Sequence, residues 1–268
     1  MFDPIREKVG RSLISAVFVA DRHVHVNDVD FMAQTESFPV LFAQNVVGRR
    51  TDVAKGETWR IAQGAEGFKT RHNDSVPVTS PILLDVDGVV WLMQKPLPRA
   101  VEAIGRLEEA GVPYAFVTNN SYRSVEDQES ALEQVGVRAR GRVLTSSMAA
   151  AEIVDYGRRV LVGGGPGVVD ALRRKSQAEI VLVEDHPTGQ FDHVVVGFHR
   201  HFNFDGLHAL SGAIRSGATF IATNDDATYP TPDGPIPGGG SIVAAVATAS
   251  GVQPLIAGKP HQPMAELV

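Results

Sequence analysis

Short apolar runs alternate with amphipathic segments along the chain from Pro81 onward. In chain order the apolar runs read ILLDV, YAFVTN, RVLVGG, HVVVGF, TFIATN and PLIAG. Runs of this length, bounded by polar and turn-forming residues, are typical of buried strands. The segment 100–110 places Val101, Ile104 and Leu107 on one face, which predicts a helix. The alternation of strands with helices predicts an α/β fold with a parallel sheet.

The same pattern predicts further helices and one ordered connection. The connection is the proline- and glycine-rich stretch 229–240, which is too short for a linker between two patterned segments. The predicted helices cover 124–134, 148–156, 168–175, 204–215 and 241–250.

Residues 1–80 do not show this pattern. They mix Asn, Asp, His, Gly and Arg between short apolar pieces, and they stay an unassigned N-terminal segment. Few apolar clusters fall within 43–80, so poor order is expected there.

Composition limits the classes of function. The chain has 268 residues, 43% of them hydrophobic, and a formal net charge of -6. This acidic balance excludes a protein that holds nucleic acid through a basic surface. No apolar run reaches the roughly 18 residues of a membrane span. The absence of cysteine excludes disulfides, thiolate zinc sites and a cysteine nucleophile, and a cytoplasmic location is the expectation.

Two carboxylates follow the first apolar run directly. Asp85 and Asp87 stand at the C-terminal end of a predicted buried strand, which is where open α/β sheets bind ligands. Their side chains start on the same face, about 7 Å apart, so they can border one site in different roles. One carboxylate can attack phosphorus while the other protonates the leaving oxygen and later activates water. Taken alone, the pattern favours acids that cap the next helix or face solvent.

Two more segments carry complementary chemistry. The second strand ends in Thr118, Asn119 and Asn120 before a helix, and a hydroxyl with free N–H groups at such a turn can hold phosphate. The last apolar run ends at Lys259, whose ammonium can neutralise a nucleophile and a phosphate beside the same sheet edge. Ordinary turn chemistry and a solvated lysine are the alternatives. The three segments together favour a phosphate site.

The chain resembles the haloacid dehalogenase (HAD) superfamily. The first three motifs of that superfamily are similar to LLDVDGVVW, FVTNNSYRS and IAGKP. Its subclass IIA, the NagD-like and p-nitrophenylphosphatase-like proteins, is also similar to TSSMAAAEIV and FIATNDDATYPTPDGPIPGGGSIVAAV. The resemblance implies a three-layer Rossmann-like core with an inserted α/β cap domain. The core is expected at 81–156 and 226–268, with the cap at 157–225.

The resemblance also implies roles for individual residues. Asp85 is the nucleophile, Asp87 the general acid and base, Thr118 and Asn119 phosphate ligands, and Lys259 the residue that holds nucleophile and phosphate together. The implied cofactor is Mg²⁺, bound by the Asp85 carboxylate and the Asp87 main-chain carbonyl. A Mg-dependent phosphatase acting on a small phosphorylated metabolite follows, with neither nucleic acid nor membrane as partner. Self-association through the cap stays open. The substrate rim is expected at Asn120, Asn224 and Asp225.

One departure from the family leaves an alternative function open. Members continue past the lysine to a Gly-Asp motif with a further metal-binding acid, whereas Glu266 is the only acid after Lys259. The core is therefore expected to be incomplete at its C-terminus. The alternative is an incomplete or non-catalytic phosphate-binding protein of the same fold.

Three other clusters have competing interpretations. Alternating His and Asp residues at 23–30 could bind a metal, although surface polar residues explain them more simply. The glycines at 163–167 suggest a dinucleotide site, but Val168 breaks the required spacing, so a tight turn is favoured. His199 and His201 follow a predicted cap strand and could reach the substrate, although loop histidines usually do not.

Overall fold

The computed structural model of the protein describes residues 82–268. The unassigned segment 1–80 and the His and Asp cluster at 23–30 lie outside the described residues. The strands are β1 (Ile82–Leu84), β2 (Trp91–Leu92), β3 (Lys95–Pro96), β4 (Tyr114–Thr118), β5 (Val143–Thr145), β6 (Arg159–Gly163), β7 (Glu179–Leu182), β8 (His193–Val196), β9 (Thr219–Ala222), β10 (Thr228–Tyr229), β11 (Ile236–Pro237) and β12 (Leu255–Ile256). The helices are α1 (Ala100–Glu109), α2 (Val125–Gln134), α3 (Ser146–Ile153), α4 (Pro166–Lys175), α5 (Phe204–Arg215), α6 (Gly239–Ser250) and α7 (Gln262–Leu267), with a 3₁₀ turn at Val183–Asp185.

Two parallel sheets organise the fold. The smaller has the strand order β1-β4-β5, and the larger has the order β12-β9-β8-β6-β7. Every pairing within these two sheets is parallel. Two antiparallel hairpins, β2-β3 and β10-β11, are separate from them. The predicted α/β class with parallel strands is confirmed, and the predicted ordered connection at 229–240 contains the second hairpin.

The helices form where the apolar stripes predicted them. In α1 the buried side chains are Ala100, Ala103, Ile104 and Leu107, which lie on one face. The strands β1 and β8 are buried along their whole length, as expected for parallel strands covered on both faces. Because both faces are covered, these strands read as continuous apolar runs and do not alternate with polar residues.

A shared apolar layer joins the two sheets. Leu83 and Val117 of the smaller sheet belong to the same buried cluster as Val160 and Ile221 of the larger one. The alanines 149–151 of α3 lie within this cluster at 0–1% exposure. Their small side chains let the helix pack closely against both neighbours. The loops at the carboxyl ends of both sheets are thereby held close together.

The position of β12 bears on the domain division. This short strand was expected in the returning part of the core at 226–268, yet it pairs with β9 of the larger sheet, from Leu255 with Ile221 to Ile256 with Ala222. The boundary predicted at residue 225 therefore does not coincide with a boundary between sheets, and the assignment of core and cap residues stays a prediction. Within the described residues, none of the helices is long and apolar enough to cross a bilayer.

Candidate active site

The carboxyl ends of three strands bring the predicted residues together. Asp85 follows β1, Thr118 ends β4, and Lys259 follows β12. The Lys259 Nζ lies 2.6 Å from Asp85 Oδ1, and the two side chains are each 6% exposed. Lysine and nucleophile were expected at one sheet edge. Instead, Lys259 follows a strand of the larger sheet, whereas Asp85 follows a strand of the smaller one.

The Asp85 carboxylate is held in a buried position. Its Oδ1 also accepts a hydrogen bond of 2.8 Å from the Val86 N–H. Burial raises the pKa of Asp85 above its ordinary value, while the Lys259 ammonium and the Val86 N–H oppose that shift. Burial thus favours the neutral acid, and the ammonium acts against that preference by stabilising the charged carboxylate.

Asp87 has different neighbours. Its Oδ1 accepts hydrogen bonds from the Tyr229 hydroxyl at 2.7 Å and from Trp91 Nε1 at 2.9 Å. Gly88, at φ 85°, turns the chain directly after it so that Trp91 can fold back. Burial and the Asp87 charge raise the pKa of Tyr229, so its hydroxyl stays a proton donor. Asp87 is therefore oriented by neutral donors, whereas Asp85 is paired with a cation.

Thr118 and Asn120 lie on the other side of Asp87. Thr118 Oγ1 and Asn120 Nδ2 are each 3.4 Å from Asp87 Oδ2. Thr118 Oγ1 also accepts a 3.0 Å hydrogen bond from the Asn120 N–H, which fixes the turn after β4. The second predicted segment thus borders the same carboxylate as the first.

Asn119 connects the separate segments. Its Oδ1 accepts a 2.8 Å hydrogen bond from the Lys259 N–H, and its Nδ2 donates to the Lys259 carbonyl at 3.0 Å and to Asp226 Oδ2 at 3.0 Å. Its own carbonyl accepts from Ser146 Oγ at 2.9 Å and Asn224 Nδ2 at 2.8 Å. The side chain predicted to bind phosphate is therefore already engaged in holding the lysine segment in place.

The residues predicted for the substrate rim lie in different places. Asn120 and Asn224 line the cavity beside Asp85. Asp225 does not: it is exposed and its carboxylate lies 3.0 Å from His261 Nε2. Asp226 lines the cavity in its place. Two adjacent acids in a turn point in different directions, and the sequence gives no sign of which one faces inward.

A cavity of about 140 Å³ opens in front of the two aspartates. Its size suits a small ligand. Arg123, Arg200, Tyr122 and Phe198 also contribute to its wall.

The β2-β3 hairpin overhangs this cavity. Its turn residues Met93 and Gln94 both have left-handed backbones, with φ 46° and 66°, where glycine or asparagine is usual. Both side chains line the cavity. With its amide oriented for hydrogen bonding, the Gln94 oxygen accepts from the Arg123 guanidinium, at 2.7 Å from one nitrogen. A strained turn beside a cavity indicates that its side chains matter to the site.

The remaining predicted clusters lie elsewhere. His199 is buried, with Nε2 2.6 Å from Glu184 Oε1, and both histidines of that loop line a separate cavity behind β8. The glycine run packs against the Tyr122–Arg123 segment, since a Cβ at Gly165 or Gly167 would overlap it. The glycines are therefore required by close packing, in agreement with the tight-turn interpretation.

Trp91, Tyr229, Asp226, Arg123 and Arg200 were missed from the sequence as site residues. They come from loops and from the hairpins, where no periodic pattern marks a side chain that faces a cavity. For Tyr229, the polar composition of residues 228–233 was the one feature of the sequence that could have suggested a place in the site.

Comparisons with known proteins agree on a family. A family model for haloacid dehalogenase-like hydrolases matches residues 82–176. The acid sugar phosphatase of Staphylococcus saprophyticus is 34% identical over 183 residues, which is 67% of this chain and 68% of that protein.

Solved structures are also similar to this chain in fold and in sequence. A protein of Pyrococcus horikoshii superposes with a TM-score of 0.63 and 37% identity, over 70% of this chain and 74% of its own. The glycerol phosphate phosphatase of Mycobacterium tuberculosis in complex with magnesium has a TM-score of 0.61 and 33% identity, over 70% of this chain and 57% of its own.

Proposed function

We propose that this chain, which belongs to the haloacid dehalogenase-like hydrolases, is a magnesium-dependent phosphomonoesterase that acts on a small phosphorylated metabolite. The observation that carries the proposal is the buried pair of Asp85 and Lys259, 2.6 Å apart, whose aspartate lines a cavity. A buried carboxylate whose charged form is stabilised by one ammonium is suited to nucleophilic attack on phosphorus.

The reaction has two steps. In the first, a carboxylate oxygen of Asp85 forms a bond to phosphorus while the ester oxygen leaves and takes a proton from Asp87. In the second, water attacks phosphorus, gives a proton to Asp87, and releases inorganic phosphate with the Asp85 carboxylate restored. The different neighbours of the two aspartates support this division of roles, since only Asp87 is free of an ion pair with Lys259.

Lys259 and the turn after β4 would receive the phosphoryl group. The Lys259 ammonium screens the repulsion between the anionic nucleophile and the anionic ester. The Thr118 hydroxyl faces the same aspartate pocket and can donate to a phosphoryl oxygen. Asn119 would contribute through the position that it gives Lys259, because its amide is engaged with the lysine main chain.

The donor set at the cavity suits magnesium. Mg²⁺ prefers oxygen ligands and is commonly bound by one or two protein oxygens together with substrate phosphate and water. The Asp85 carboxylate and the Asp87 main-chain carbonyl would hold it, and it would supply charge neutralisation at the phosphoryl oxygens. Within residues 82–268, no three acidic or histidine side chains converge to bind a metal, so substrate and water would complete the coordination.

The substrate class is proposed from cavity size and from the relatives. A cavity of about 140 Å³ admits a small ester. The relative in Staphylococcus saprophyticus is named as an acid sugar phosphatase, and the one in Mycobacterium tuberculosis as a glycerol phosphate phosphatase. A sugar phosphate or glycerol phosphate is therefore the first class to test.

The decisive experiment is the Asp85→Asn variant, assayed with p-nitrophenyl phosphate and Mg²⁺. Turnover should fall to background because an amide cannot form the aspartyl phosphate. The matched control is Asp205→Asn, the same change at an exposed position in the first turn of α5, which should retain activity. Undiminished hydrolysis by Asp85→Asn would exclude Asp85 as nucleophile.

A second candidate is a phosphate-binding protein without turnover. The observation that favours it is the small number of metal-ligating side chains among the described residues. Titration with Mg²⁺ and beryllofluoride discriminates between the two. Binding of the phosphate mimic by a protein that hydrolyses no ester would support the second candidate, and hydrolysis of any tested ester would exclude it.

A further inference from the structure

Two arginines line the cavity without an acidic partner. Arg123 and Arg200 both contribute to its wall. Among residues 82–268, neither has a carboxylate within ion-pair distance, whereas Lys259 at the same site is paired with Asp85. Unpaired guanidinium groups in a cavity wall are free to bind an anion.

Arg123 is held in place by a neutral group. Its guanidinium donates to the Gln94 amide oxygen, 2.7 Å from one nitrogen, at the turn of the β2-β3 hairpin. Its positive charge is close enough to Tyr229 to oppose the rise in the pKa of that hydroxyl, which itself bonds to Asp87. Arg123 is therefore held by a neutral partner, and no acid in the described part of the chain pairs with its charge.

The neighbouring residues Phe198, His199 and His201 fix the main chain at Arg200. The Phe198 N–H donates to Ser121 Oγ at 3.3 Å, and the Phe198 and Tyr122 rings meet edge to face with centroids 5.8 Å apart. The next residue, His199, is 6% exposed and accepts a 3.1 Å hydrogen bond from the His201 N–H. The exposed Arg200 guanidinium lies 5.8 Å from the centre of the ring of Tyr122, the residue that precedes Arg123 in the chain.

The acids of the cavity do not need these arginines. Asp85 is paired with Lys259, Asp87 accepts from Tyr229, and Asp226 accepts from Asn119. Each acid thus has a donor of its own, and none of the three forms an ion pair with Arg123 or Arg200.

We propose that Arg123 and Arg200 form a second anion subsite, which binds a carboxylate on the substrate while the phosphoryl group is at Asp85. This rests on the proposed function, because it places phosphate beside Asp85. A guanidinium fork matches a carboxylate with two parallel hydrogen bonds, and a carboxylate is smaller than a second phosphate group, which suits a cavity of about 140 Å³. The preferred substrate is therefore a small phosphomonoester that also carries a carboxylate.

The test compares two esters that differ only at the relevant group. In 3-phosphoglycerate a carboxylate replaces the terminal hydroxymethyl group of glycerol 3-phosphate. We expect the full chain to hydrolyse 3-phosphoglycerate with the higher kcat/KM. In Arg123→Gln and Arg200→Gln, the ratio of the two kcat/KM values should fall by about 10- to 100-fold, the range expected for one charge-assisted hydrogen bond. Arg123→Lys should restore part of the ratio.

The matched control is Arg173→Gln, which removes the same charge from an exposed position on α4 outside the cavity. Its ratio should equal that of the wild type. Equal losses on both esters in the cavity variants would assign the arginines to the phosphoryl group and overturn the proposal, as would a wild-type preference for glycerol 3-phosphate.

Calorimetric binding to the Asp85→Asn variant separates this inference from the proposed function. No turnover is needed, so tighter binding of 3-phosphoglycerate, lost on adding Arg200→Gln, supports the subsite even if hydrolysis is never detected. Equal binding of the two esters would overturn the subsite while leaving the phosphatase assignment intact.

Discussion

Replacing Lys259 by methionine tests whether the buried ion pair is organised as described. Lys259 and Asp85 are 5% and 6% exposed, with Nζ and Oδ1 2.6 Å apart. Methionine keeps most of the length of the side chain and removes its charge. Removing one member of a buried ion pair typically costs about 3–5 kcal/mol, because the other charge is left buried and unpaired.

Protonation of Asp85 limits this cost and makes it depend on pH. Burial already raises the pKa of Asp85 with the ammonium present, and its removal can only raise that pKa further. Protonating an aspartate with an unfolded pKa of about 3.9 costs about 4 kcal/mol at pH 7 and about 1.5 kcal/mol at pH 5. The native variant then binds a proton that its unfolded chain does not. Relative to wild type, its stability should therefore fall by up to about 1.4 kcal/mol for each pH unit gained.

Urea denaturation at pH 5, 6 and 7 in EDTA measures this slope as the difference in the free energy of unfolding. The double variant Asp85→Asn with Lys259→Met should lose the slope, because the titrating group is absent. The exposed Lys95→Met provides the surface control and should change stability by less than about 0.5 kcal/mol. A destabilisation that is the same at all three pH values, or a slope that survives in the double variant, would refute the reasoning.

Three further predictions concern the buried His193, the close contact at Gly197 and the hairpin turn at Gln94. Burial lowers the pKa of His193, so the contribution of His193 to stability is present above the unfolded pKa of about 6.5 and is lost as pH falls below it. Between pH 7.5 and pH 5.5 the Tm of His193→Gln should therefore drop by less than the Tm of the wild type. An equal drop in the two proteins would contradict this. A Cβ at Gly197 would lie 2.8 Å from Ser121 Oγ, so Gly197→Ala should lose about 1–3 kcal/mol in urea denaturation. Gly212→Ala on α5, where an added Cβ would meet only Arg215 Nη2 at 3.9 Å, should be neutral or stabilising. Equal effects of the two alanines would argue against the contact. Gln94→Gly should relieve the strain of the left-handed backbone and raise the free energy of unfolding by about 1 kcal/mol. The same change frees Arg123 and should lower the selectivity for a carboxylate-bearing ester. A Tm below that of the wild type would show that the turn is not strained.

The sequence was sufficient for six of the strands, for helices α1 to α6 and for the family. Apolar runs predicted β1, β4, β6, β8, β9 and β12, because parallel strands covered on both faces leave continuous apolar segments. The strands β5 and β7 and both hairpins were not predicted. The resemblance to the haloacid dehalogenase superfamily and its subclass IIA is confirmed by the family model and the relatives. The convergence of Asp85, Thr118 and Lys259 also followed from their places after apolar runs, whereas their catalytic roles stay predictions.

Other features could not be obtained from local pattern. The strand β12 has two paired residues, Leu255 and Ile256, and nothing in two residues reveals which sheet they join. Which of the two acids faces the cavity, Asp226 and not Asp225, depends on the geometry of the turn after β9. Arg123 and Arg200 stand 77 positions apart, and only the fastening of the Phe198 segment to Ser121 brings both to one cavity.

Asn119 explains why the site needs tertiary structure. Its amide accepts from the Lys259 N–H and donates to the Lys259 carbonyl, so a two-sided bridge links β4 of one sheet to the segment after β12 of the other. The amide supplies an acceptor and a donor on one rigid plane; aspartate could accept from the N–H but would face the carbonyl with a negative charge. The bridge fixes the main chain of Lys259 while the ammonium meets Asp85. The distance between nucleophile and lysine is therefore set by a residue that touches neither charged group, and the packing of the two sheets determines whether the cavity can hold a charged nucleophile.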